Sequence, residues 1–159
     1  MGGATASATS TFLLETRQCV VAVRGGLLVQ LWRESPTEEG ATLVRRAVQE
    51  ANDQFQIVMV LVEAFAATPK PESRVPLNEL SKLIAPRPTA VVYENGGFGA
   101  AAVRGTSMAI SAASGGTAVI RMMPSIEQAV QWLESQDHAP VLVGVDAFIA
   151  EMRRPVGMK

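Results

Sequence analysis

One cysteine and one histidine occur in 159 residues, and each scarcity removes a class of chemistry. Cys19 alone leaves no internal disulfide, a usage compatible with a reducing cytosol. His138 alone leaves no histidine-based metal cluster and no histidine-driven triad, and its place after a helix suits a solvated residue. Charge is in near balance, 14 Lys and Arg against 15 Asp and Glu, so there is no electrostatic pull toward nucleic acid or an anionic membrane. No apolar run approaches the ~20 residues needed to span a bilayer. The longest, Ile57–Val62, is strand-sized. The N-terminus "MGGATASATS" lacks the basic and apolar regions of a secretory signal, and Met1-Gly2 with Ser7 meets a myristoylation pattern only in part. A soluble, cytoplasmic protein with no metal and no cofactor is the expectation.

What is present is a rather apolar globular chain, 48% hydrophobic and 18% charged, long enough for one domain with a full core. Residues 1–11 read as a flexible tail, 12–138 as an α/β domain and 139–159 as a C-terminal extension. Residues 12–24 and 27–33 are β-rich and meet at Gly25-Gly26, a pair suited to a hairpin. Ser35-Pro36-Thr37-Glu38 spells a capping box, with Ser35 as cap, ahead of a helical stripe of Leu43, Val44, Ala47, Val48 and Ala51. "QIVMVLVEA" is the most apolar strand and the expected centre of the sheet. A helix carrying Leu77, Leu80, Leu83 and Ile84 follows, ended by Pro86 and Pro88. Strands at 89–94 and 117–122 flank a Gly/Ala-rich helix, and a last strong helix starts at Pro124, Ser125 and Gln128. The order β-β-α-β-α-β-α-β-α predicts a mostly parallel sheet with right-handed crossovers.

The stretch "VVYENGGFGAAAVRG" contains Gly97-Phe98-Gly99-Ala100-Ala101-Ala102, the G-x-G-x-x-A spelling of a dinucleotide-binding turn after a strand. Arg121, at the end of the next strand, stands about where an NADP enzyme places a charge partner. Against this, the turn comes late in the chain, Glu94 would repel a pyrophosphate, and the small residues continue to Gly115. A strand–helix joint packed closely through small residues is the favoured reading, and Gly97, Gly99 and Arg121 as a cofactor site the rival. Cys19 lies in an apolar strand and reads as buried and inert. Glu38-Glu39 read as first-turn helix residues. Trp32 and Trp132 read as core or interface anchors, Trp132 flanking the stripe of its helix, and Met108, Met122 and Met123 as core filling.

The strands "TAVVYE" and "TAVIRMM" and the helix "SIEQAVQWLES", with Gln128, Ala129, Trp132 and Leu133, carry a family likeness. With the element order, they resemble STAS domains, in particular the bacterial SpoIIAA-like branch grouped with Sec14-type lipid-binding domains. The resemblance implies a mixed, mostly parallel sheet with helices packed on one side and no catalysis. It also implies a regulatory or adaptor role through protein–protein contact in bacterial signalling. Sigma-antagonist members carry a phosphorylatable serine in an Asp-Ser-Ser-Gly context after the central strand. Here Thr68 and Ser73 are available, but that spelling is absent. The expected partner is another protein or a second copy. An apolar small ligand held near Phe98, Met108 and Met122 is the alternative. In the extension, Val145, Phe148, Ile149 and Met152 form one helical stripe, capped by Asp146, after Val141-Leu142-Val143. This stripe covers the domain's own sheet or reaches another molecule, and reaching out is the slightly favoured use.

Overall fold

The computed structural model describes residues 9–63, 71–85, 87–93, 119–137 and 139–154. Their strands form one six-stranded sheet in the sequential order β1 to β6. These are β1 (Ser10–Glu15), β2 (Cys19–Arg24), β3 (Leu27–Trp32), β4 (Ile57–Val62), β5 (Pro88–Val92) and β6 (Val119–Met123). The first three strands are an antiparallel meander, and β3 to β6 pair in parallel. Four helices are described: α1 (Glu38–Glu50), α2 (Arg74–Ile84), α3 (Ile126–Glu134) and α4 (Val145–Met152). The α/β class and the mixed, mostly parallel sheet are those expected. The Gly/Ala-rich helix lies outside the described residues.

The expected first β segment, residues 12–24, is two strands. No glycine or proline marks the break; Thr16 makes it chemically. Its backbone N–H and its hydroxyl both donate to the Cys19 carbonyl, at 3.0 and 2.9 Å, and its Oγ1 accepts from Cys19 N at 3.0 Å. The β2–β3 turn is the one expected: Gly25 and Gly26 have φ of 56° and 85°, the left-handed pair that a two-residue hairpin with native twist requires.

The cap of α1 is Thr37, not Ser35. Thr37 Oγ1 accepts from Gly40 N at 3.1 Å. The Gln18 side chain fixes this register, with its Oε1 accepting from Thr37 N at 3.0 Å. Gly40 has no Cβ because one would collide with the Gln18 amide. At α3 the expected cap holds, Ser125 Oγ accepting from Gln128 N at 3.2 Å.

The helices occupy both faces of the sheet rather than one. The two crossovers β3–α1–β4 and β4–α2–β5 step in the same direction, so α1 and α2 share a face. There Ala41, Val44, Val48, Leu80 and Ile84 pack on Cys19, Val21, Leu28, Trp32 and Val58. The second face carries Val20, Ala22, Leu27, Val29, Leu31, Ile57, Met59 and Leu61. It is closed by Ala129 and Leu133 of α3 and by Val145, Phe148, Ile149 and Met152 of α4. The physical reason is in the strands: Cys19–Val23 and all of β3 are buried on both sides, so one helical layer would leave half of that apolar surface wet.

The stripe of the C-terminal extension therefore covers the chain's own sheet. Phe148, Ile149 and Met152 are at most 1% exposed. Arg33 holds the far end of α4, donating from Nη2 to the carbonyls of Met152 and Arg154 at 2.6 and 3.0 Å. The near end starts at Gly144, with φ of 70°, and not at Asp146, which lies in the first turn.

Candidate functional site

The residues singled out in sequence are not brought together. Thr68, Gly97, Phe98, Gly99, Met108 and His138 lie outside the described residues. Ser73 ends the 3₁₀ turn before α2 and is fully buried, so its hydroxyl is closed to a kinase. Phe148, Ile149 and Met152 are core and have no surface to offer a partner. Arg121 is exposed on β6, with its guanidinium 5.5 Å from the Trp132 ring centre, a cation–π contact. Trp132 is half-buried against the second core, and Trp32 is core, its indole N–H donating to Gln30 Oε1 at 3.1 Å. Cys19 is fully buried; desolvation pushes its thiol well up, outweighing the nearby Arg33 charge. Such a thiol is not a nucleophile at neutral pH.

Three places carry more chemistry than the core requires. The first is the end of the sheet where β2 turns into β3. A cavity of about 60 Å³ opens there between Arg24 and the 141–145 segment, floored by Leu27 and Phe148. Both floor residues are fully buried, whereas Val141 and Val143 are 81% and 57% exposed at the rim. Arg24 donates from Nη1 to Ser10 Oγ at 3.3 Å, and its buried Nε has no partner. A Cβ on Gly144 would stand 3.1 Å from Arg24 Nη2, so that position suits glycine by space as well as by φ.

The second place is Arg87, at the same end of the sheet but on the other face. Its Nε donates to Phe55 O at 3.3 Å, Nη1 to Leu83 O at 2.8 Å, and Nη2 to Asn52 O and Oδ1 at 2.9 and 3.0 Å. The guanidinium carbon also lies 4.4 Å from the Phe55 ring centre. This arginine ties the C-terminal ends of α1 and α2 to the start of β5 through hydrogen bonds from all three of its nitrogens.

The third place is the outer edge of β6, which has no neighbouring strand on that side among the described residues. It pairs with β5 in unbroken register from Val119 to Met123, contains no proline and carries one charge, Arg121. Val119 is 43% exposed, and Ile120, Met122 and Met123 are half-buried. The opposite edge, β1, is interrupted by a bulge between Phe12 and Leu14 and ends on Glu15.

Among the described residues no three His, Cys, Asp or Glu side chains converge as metal ligands, and no helix is long and apolar enough to cross a membrane. No family model, no curated protein and no solved structure matches the chain.

Sequence reasoning passed over both arginines. Arg24 carries one signal, a charge closing the apolar run "CVVAV" just before the glycine turn. Arg87, between Pro86 and Pro88, carries none, because apart from Leu83 O, four residues earlier, its acceptors are on Asn52 and Phe55, more than thirty residues away.

Proposed function

We propose that this chain is a non-enzymatic adaptor or regulator of bacterial cytoplasmic signalling that works by protein–protein contact, in the manner its STAS-like resemblance implies. The observation that carries this reading is the β6 edge. An edge strand presents unpaired N–H and C=O groups, and stable proteins guard such edges with bulges, prolines or charges. The β1 edge has a bulge and a terminal acid. The β6 edge has an intact register, apolar side chains on both faces and a single arginine drawn over Trp132. Such an edge suits an extended apolar segment of a partner, which would add a strand through backbone hydrogen bonds while its side chains meet Val119 and Met122.

The test is Val119→Lys, which puts a guarding charge on a half-exposed edge position. Its far-UV circular dichroism should match the parent. A partner that co-purifies with the parent, identified and then retitrated as a pure protein, should lose its binding to the variant. Unchanged binding would move the contact away from β6. A thermal-shift response of the parent to nucleotides, with no protein partner, would instead favour the enzymatic rival.

A further inference from the structure

With β6 taken as the contact edge, as the adaptor reading has it, the pattern of this strand limits what can sit on it. Tyr93 N donates to Met123 O at 3.1 Å, so the backbone groups of Met123 face β5. Successive residues of a strand turn their N–H and C=O groups to alternate sides. Val119 and Arg121 therefore also face β5, and Ile120 and Met122 hold their backbone groups out at the free edge. Side chains alternate between the two sheet faces in the same way. Met123 packs on the second core and Arg121 lies over Trp132, which puts Val119, Arg121 and Met123 on the α3 face. Ile120 and Met122 are left on the α1/α2 face.

An occupant must then be apolar on both faces and must keep positive charge away from Arg121. Strands apolar on both faces are normally buried inside sheets. One that stays accessible in this chain is β6 itself, with Val119 43% exposed and Ile120, Met122 and Met123 half-buried. The other edge does not match it. A bulge between Phe12 and Leu14 breaks the ladder of β1, and a β6-to-β1 contact would run on as an open chain of copies. Pairing β6 with β6 is antiparallel and closes about a two-fold axis.

The sequence of the strand selects where that axis falls. With Arg121 on the axis, two guanidinium groups stand directly opposite each other, which is destabilising. With Met122 on the axis, Pro124 comes opposite Ile120 and has no N–H to give. With Ile120 on the axis, each Ile120 exchanges N–H···O bonds with its copy. Val119 then faces Arg121 of the second copy, whose charge is drawn over its own Trp132.

We propose that two copies of this chain associate through β6, antiparallel about a two-fold axis at Ile120, joining two six-stranded sheets into one. The contact is small and therefore weak and reversible.

The experiment follows the mass of the full chain by sedimentation equilibrium up to about 1 mM, the weak end of specific association. The parent should show a monomer–dimer equilibrium. Val119→Glu sets an acid opposite Arg121 twice in each dimer and should tighten it about three- to tenfold. Val119→Lys should weaken it by a similar factor. Both changes fall on a half-exposed position, and circular dichroism checks the fold. The register is read by cysteine cross-linking under oxidised glutathione. Two Ile120→Cys residues would have Cα atoms about 5.5 Å apart, within disulfide reach, and should link. Two Met122→Cys residues would be out of step by about 13 Å and should not. Cys19 is fully buried and does not compete. Equal effects of Glu and Lys at 119, or cross-linking through Met122→Cys as fast as through Ile120→Cys, would overturn the proposal. So would a parent that stays monomeric throughout. If Val119→Lys nevertheless loses a foreign protein partner, the second copy is excluded while the adaptor reading of β6 stands.

Discussion

Arg24 and Arg87 stand at the same end of one sheet, on opposite faces, and they are used in opposite ways. Arg87 uses all three nitrogens on oxygens at and just beyond the ends of α1 and α2 and lays its plane on Phe55. Arg24 makes one long bond to a serine and leaves Nε orphaned beside an apolar chamber. A filled guanidinium is a rivet: removing it strands carbonyls that helix ends cannot otherwise satisfy. A half-filled one contributes less to the fold. The contrast separates filled from half-filled charge without any appeal to exposure, since both residues are half-buried.

The most damaging way to break the comparison is to remove the floor on the Arg24 side. Phe148→Ala opens a cavity beneath α4, where the ring is fully buried, and should cost about 3–5 kcal/mol in urea denaturation. A loss under about 1 kcal/mol would mean that α4 is not part of the cooperative core.

Next in size are the arginines themselves. Arg87→Met should cost about 2–4 kcal/mol, because charge-assisted bonds to three carbonyls are lost. Arg24→Met, measured in the same way, should fall within about 0.5 kcal/mol of the parent. Equal losses for the pair would erase the distinction between rivet and half-filled charge.

Gly144→Ala sharpens the same point on a smaller scale. It forces a side chain into a backbone with φ of 70° and sets a methyl 3.1 Å from Arg24 Nη2. The backbone part should cost about 1–2 kcal/mol. The steric part should vanish in the Arg24→Met background, so the double-mutant cycle reads the contact directly.

The smallest effect tests how well the Arg87 side is sealed. Burial raises the Cys19 thiol, so the folded protein keeps its proton where the unfolded chain loses it. The unfolded state then binds fewer protons, and stability should be constant below about pH 8.5 and fall as pH rises above it. Cys19→Ala should remove that alkaline slope. In the native protein the thiol should react with Ellman's reagent only at the rate of opening. Rapid labelling at pH 8 would show that the α1/α2 face is open.

Much of the local structure was legible because its causes are local. Gly25-Gly26 can only be a left-handed pair cheaply, and Ser125 with Gln128 N is a cap complete within four residues. The stripes of α1, α2 and α3 are likewise periodic in the chain itself. The break between β1 and β2 is local but has no glycine or proline to mark it, whereas the cap of α1 and the start of α4 each depend on a partner far away in sequence. Thr37 displaced Ser35 as cap because Gln18, 19 residues earlier, bonds it. Gly144 starts α4 where Asp146 was expected, beside the guanidinium of Arg24.

By itself, then, the sequence determined most of the strand and helix segments, though not the break at Thr16, and also where the glycine hairpin falls and that the central strands must be covered. Those follow from dihedral preferences and from the period of apolar residues, which act over a few positions. Only the tertiary structure decided that the C-terminal stripe closes the chain's own second face. Burying Phe148 is equally favourable against its own sheet or a neighbour's, but the short connection from α3 makes the intramolecular contact the one with the smaller entropic cost. It also decided how each arginine is used: Arg87 reaches Asn52 and Phe55, which only folding brings near, whereas Arg24 keeps a buried Nε without a partner.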